Sequence, residues 1–238
     1  VYPSFSNLTI SKWISVAPIW SLPPLFDMLI HYGVKSLVVI STTSIFTKNK
    51  SQNLEERLLI SKICLAEDEI KLWARQRGIF LTILRPTLIY GGRENQNIYL
   101  ISRFINRFGF FPLFYNGVGL RQPVHKDDVA SVCISSLQND LTYREFNISG
   151  SEILSYREMV SRIFIAQNRR ERILLLSPYV SQIFLYGLSI IPILKKVNIE
   201  IARRMGMNLI FNHDAAKRDL GFNPRDFIVT KDDVEFIE

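Results

Sequence analysis

Short, continuous apolar runs alternate along the chain with longer stretches whose apolar residues recur every three or four positions. Trp13–Ala17, Val34–Ile40 and Phe80–Leu84 are runs of the first kind. All three read as strands: Val34–Ile40 is β-rich, as a strand covered on both faces is, and Phe80–Leu84 reads as buried. Leu54–Arg77 has helical spacing and ends at Gly78, a residue suited to a left-handed helix stop. Pro23 and Pro24 open a shorter helical stretch that runs to about Tyr32 and stops at Gly33. Strands separated by helical crossovers predict an α/β fold with a mostly parallel sheet in which the three runs are neighbours.

The second half is more mixed. Ile98–Phe108 has helical spacing. Gln122–His125 reads as a short extended piece, with Asp127 as the N-cap of a helix Asp128–Leu137. Phe146–Ile148 reads as a short strand, and Ser155 with Glu158 forms a capping-box pattern. His213–Leu220, closed by Gly221, reads as the last helix. A division near residue 91 is expected: 1–91 as a partial dinucleotide-binding core, and 92–238 as the interleaved remainder of the sheet with a smaller substrate-side α/β region.

One segment raises a membrane question. Ile173–Leu194 carries no charge and is long enough to span a bilayer. It also contains Ser177, Pro178, Ser181, Gln182, Gly187, Ser189 and Pro192. The expectation is therefore a strand, Ile173–Ser177, followed by a buried or surface-docked helix, with no membrane span.

The 238 residues are 47% hydrophobic and 21% charged, which excludes disordered, collagen-like and coiled-coil classes. The net charge of +7 permits an anionic ligand without selecting one. Two cysteines make neither a disulfide framework nor a zinc cluster. With no signal-peptide pattern near Val1, a cytoplasmic setting is the default. No P-loop, HExxH motif, nucleophile elbow or metal-spaced Cys pair is present. The basic residues are scattered among apolar helices, which argues against a nucleic-acid partner.

Three segments could carry chemistry. Ile40-Ser41-Thr42-Thr43-Ser44 delivers hydroxyls at the carboxyl end of a strand, where open α/β sheets bind ligands; the same residues could instead form a turn that satisfies its own backbone. Leu84-Arg85-Pro86-Thr87-Leu88-Ile89-Tyr90-Gly91 could wall a cofactor pocket or be an ordinary strand exit. In Arg121-Gln122-Pro123-Val124-His125, the guanidinium could bind a diphosphate or lie exposed. His125 reads as a packed strand residue rather than a base.

These segments in this order, together with Ser15-Val16-Ala17-Pro18 and Asn147-Ile148-Ser149-Gly150, resemble the NAD-dependent epimerase/dehydratase family of extended short-chain dehydrogenases/reductases. The resemblance runs from about Trp13 to Phe227. It implies a Rossmann-type sheet holding NAD or NADP, a nucleoside-diphosphate sugar as partner, and a possible homo-oligomer. Thr42 falls at the family's catalytic Ser/Thr. Lys62 falls at the lysine that holds the nicotinamide ribose. Ala17 and Pro18 fall where backbone borders the cofactor, Pro86 and Thr87 line the nicotinamide side, and Arg121 contacts the substrate diphosphate. No metal is implied.

The chain departs from the pattern twice. The family's catalytic tyrosine should stand four residues before Lys62, where this chain has Leu58. The family's first strand and glycine-rich turn, whose helix N-terminus binds pyrophosphate, have no counterpart, so Val1 reads as the start of a truncated product. The alternatives to an epimerase, dehydratase or reductase are a non-catalytic NAD(P)-binding scaffold and a remnant that binds no cofactor.

Overall fold

The structure is a computed structural model that describes residues 8–92, 96–139, 143–177, 179–181 and 199–234. The chain forms two compact units, each described below by itself. The first holds residues up to Thr87, then Asp127–Ile148 and Phe211–Asn223; the second holds Leu88–Lys126, Ser149–Ile210 and Pro224–Glu238.

The first unit is built on an all-parallel sheet. Strand β1 (Lys12–Ser15) pairs with β2 (Ser36–Ile40), β2 with β3 (Phe80–Pro86), and β3 with the strand Arg144–Ile148. The registers are Trp13 to Leu37, Val38 to Thr82 and Leu84 to Phe146. The three runs are therefore adjacent and parallel, as their crossovers predict. β2 and β3 are buried nearly throughout, whereas β1 at the sheet edge alternates exposed and half-buried positions.

Helix α1 (Phe26–His31) connects β1 to β2. The helix expected from Pro23 is shorter than its pattern. Pro23–Leu25 is a single 3-10 turn, and Leu25 leaves helical geometry before α1 begins. Leu25 N donates to Leu22 O at 2.8 Å, an i to i+3 bond, and the Leu25 backbone at φ −101° and ψ 4° breaks the helical run before Phe26. A short helix α2 (Ser44–Thr47) interrupts the loop after β2.

Helix α3 spans Leu54–Arg77, the range its spacing gives. The Asn53 side chain accepts from the Glu55 and Glu56 amides at its start. Gly78 stops it at φ 64°. Its stripe of Ile60, Ile63, Ala66, Ile70, Trp73 and Ala74 is buried, and Trp73 stacks on Phe26 with ring centroids 4.1 Å apart.

The helix expected from Asp128 spans Lys126–Gln138, so Asp127 sits inside its first turn rather than capping it. An acid there still faces the positive end of the helix dipole. His213 precedes the helix Asp214–Leu220 and makes no side-chain cap bond. Nor is that helix the last, because Lys231–Val234 forms a further turn.

In the second unit the helices Gln96–Phe108 and Tyr156–Ala166 pack over a parallel strand pair, Phe111–Phe114 with Ile173–Leu176. The capping box of Ser155 and Glu158 is formed. Of the extended piece expected at Gln122–His125, only Val124–His125 is a strand, parallel to Ile89–Tyr90; ahead of it Leu120–Arg121 pairs antiparallel with Leu154–Ser155. Residues 178 and 182–198, which hold most of the helix expected after Ile173–Leu176, lie outside the described residues. Among the described residues no helix is long and apolar enough to cross a membrane.

Candidate functional site

The carboxyl ends of β2 and β3 are tied together by the hydroxyl segment. Ser41 N donates to Leu84 O, and both Thr43 N and Thr43 Oγ1 donate to Pro86 O at 3.1 Å. Thr87 N donates to Ile148 O on the next strand. Thr42, half-buried between them, accepts the Ser44 amide at 3.1 Å. Ser41 and Thr43 thus fasten the strand ends, and Thr42 closes a local turn with its oxygen while its hydroxyl proton is still available to donate. Thr42, Pro86 and Thr87 therefore stand together at the strand ends.

A second feature lies along α3. An open depression of about 690 Å³ is lined by Trp20, Pro23, Leu58, Ser61, Lys62 and Glu69, among others. Leu58 and Lys62, one turn apart, share its wall. The Lys62 ammonium sits 4.9 Å from the Trp20 ring centroid, a cation–π distance. Leu58 is 61% exposed. Ala17 and Pro18, both exposed, lead from β1 into the turn Ile19–Ser21 that carries Trp20. Thr42 does not line this depression.

Arg121, in the second unit, is 4% exposed. Its guanidinium donates to the carbonyls of Leu120 (2.8 Å), Met207 (2.7 Å) and Arg204 (2.6 Å), and lies 5.0 Å from the Tyr156 ring. Burial, with the Arg204 charge nearby, lowers its pKa to about 10 despite a favourable contribution from Tyr156. Three of its five N–H groups are engaged, so two donors remain. His125 packs edge-on against Tyr90, with centroids 5.0 Å apart.

The sequence does not announce a charged cluster beneath the strand ends. Glu67 of α3, 2% exposed, accepts from Arg85 Nε at 3.0 Å, from Arg85 Nη2, and from Ser41 Oγ. Arg85 Nη2 also pairs with Glu145 at 2.7 Å, and Lys71 bridges Asp68 (2.9 Å) and Glu145 (3.3 Å). Burial works against the Arg85 charge, but bonding to Glu67 and then the charge of Glu145 outweigh it and raise its pKa. Burial likewise works against the Glu145 carboxylate, and Arg85, followed by Lys71, overcomes it and lowers its pKa. An arginine inside an otherwise apolar strand, with an acid on the buried face of the facing helix, is the signal that would have found this cluster. Among the described residues no group of three or more His, Cys, Asp or Glu side chains could hold a metal ion.

The family model for the NAD-dependent epimerase/dehydratase family matches residues 23–149, more than half of the chain. The chain belongs to that family. The uncharacterized protein y4nG of Sinorhizobium fredii is 26% identical over 141 residues, 56% of this chain and 35% of its own length. UDP-glucose 4-epimerase of Thermotoga maritima, solved with UDP-glucose, matches with a TM-score of 0.61 at 18% identity. That match covers 84% of this chain and 62% of the epimerase. UDP-glucuronic acid 4-epimerase of Bacillus cereus, solved with NAD, gives 0.62 at 15% identity over 92% of this chain and 64% of its own. At these identities the two structures share the fold. The chain spans less than two thirds of each of these three proteins.

Proposed function

We propose that this chain is a nucleotide-sugar-binding member of its family that lacks the tyrosine-coupled hydride step. The observation that carries the reading is the Leu58–Lys62 pair. Both side chains line one open depression, and a hydrocarbon stands where the resemblance puts the proton-transferring phenol. Leucine has no proton to exchange, so general acid–base catalysis has no group at that position.

The remaining site residues suit binding. Lys62, beside Ser61, would hold the ribose hydroxyls of a nicotinamide nucleotide. Ala17 and Pro18 would border it with backbone, and Pro86 and Thr87 would wall the nicotinamide side. The Thr42 hydroxyl would donate to a sugar oxygen. Arg121 would offer its two remaining donors to a diphosphate, for which a desolvated guanidinium hydrogen-bonded only to carbonyls is suited.

The fit to a complete dinucleotide is poor. In this reading the parallel sheet is Rossmann-type, with the family's first βαβ elements not represented in these 238 residues, and the sequence has no glycine-rich turn to cradle a pyrophosphate.

Hydride transfer to NAD and NADP with a panel of nucleoside-diphosphate sugars tests the reading. The expected result is no turnover by the chain as it is, and a measurable gain from Leu58→Tyr, which the exposure of Leu58 leaves room for, once the chain is joined to a family first strand and glycine-rich turn that hold the dinucleotide. Turnover without the substitution would show that another group supplies the proton.

A further inference from the structure

The second unit carries an apolar surface with a basic rim that neither the site nor the fold uses. In the parallel pair Phe111–Phe114 and Ile173–Leu176, Ile173 packs against the core and Leu176 is buried in it, while Leu174, beside its register partner Pro112, and Leu175 are left exposed. Leu174 is 52% exposed. Phe110, immediately before the first strand, and Phe108 are both exposed, with ring centroids 6.4 Å apart. Tyr179 and Val180, beyond the second strand, are exposed as well, Tyr179 by 75%.

The rim is almost wholly cationic. Arg103 and Arg107 stand one turn apart on the helix that ends at Phe108, and Arg169, Arg170 and Arg172 lead into the second strand. Phe111 N donates to Arg172 O at 3.0 Å, so the two basic segments meet at the start of the strand pair. All five arginines are exposed, and Glu171 is the one acid among residues 169–172.

We propose that this face is a peripheral docking surface for an anionic lipid bilayer. Exposed aliphatic and aromatic side chains beside several arginines are the composition of an interfacial anchor. The apolar tips enter the headgroup boundary, tyrosine and phenylalanine sit at its edge, and the arginines face lipid phosphates. A folded protein partner would need a matching acidic rim as well as an apolar centre, whereas an anionic membrane presents both over any area. The surface requires no membrane span.

Flotation of the 238-residue chain with vesicles tests this, using phosphatidylcholine alone and phosphatidylcholine mixed with phosphatidylglycerol. Binding is expected to the mixed vesicles only, and to weaken in high salt. The pair Arg170→Gln with Arg172→Gln is expected to weaken partitioning about 25-fold, at about five-fold per arginine. Phe110→Ser with Leu174→Ser should release the protein while circular dichroism and the melting transition stay as in the parent. Phe108→Trp should gain quenching by brominated lipid. Absence of binding to both vesicle types would overturn the proposal. So would binding that ignores the arginine pair, or burial of this face in a dimer that forms without lipid.

Discussion

At the scale of single residues, the Glu67–Arg85 pair and the Leu58 position decide most. A carboxylate and a guanidinium that are both buried hold each other's charge, so removing one strands the other. Arg85→Met is expected to destabilise the chain by about 3–5 kcal/mol. Adding Glu67→Met should recover much of that loss, because both buried charges are then gone. Chemical denaturation of the two single variants and the double variant measures the coupling. Glu145, at the edge of the cluster, has its folded pKa lowered from 4.5. Its contribution is therefore complete above about pH 4.5 and is lost as pH falls through the lower folded value. Acid titration of stability should show that loss, and Glu145→Gln should flatten it. No repeat or motif announces these partners, because Glu67, Arg85 and Glu145 meet only through the strand register and the rotation of α3.

At the scale of elements, α3 was legible to its last residue because its apolar spacing and Gly78 agree; the Asn53 cap shows only in the structure. Asn53→Ala should lower stability by about 1 kcal/mol in the same denaturation measurement, since two first-turn amides lose their acceptor. The three strands were legible for the same reason: apolar runs of that length have few other ways to be buried. The turn after β1 was not. Paired prolines read as a helix start, but the non-helical backbone of Leu25 confines them to a 3-10 turn. β1 carries a further consequence. It ends the strand order, and Val16 just beyond it is 74% exposed. A half-exposed apolar edge is a template for pairing with another chain. Light scattering of the 238-residue chain is expected to show concentration-dependent association, reduced by Ile14→Lys.

At the scale of the whole molecule, the order of the segments identified the family, and the family model covering residues 23–149 agrees with it. The chain leaves the first unit after Thr87, and 127–148 and 211–223 return to it through strand order, which no local pattern encodes. The sequence names candidate residue types, not their contacts: Thr42 stands with Pro86 and Thr87, Lys62 with Leu58, and Arg121, in the second unit, is buried against carbonyls. Under the proposed function the residues of the first unit hold a dinucleotide only weakly. Calorimetric titration of the 238-residue chain with NAD and NADP tests it most directly. The account expects binding weaker than micromolar for both, because in the proposed reading Lys62 would reach only a ribose and these 238 residues hold no glycine-rich turn for the pyrophosphate; micromolar or tighter binding to a monomer would contradict it.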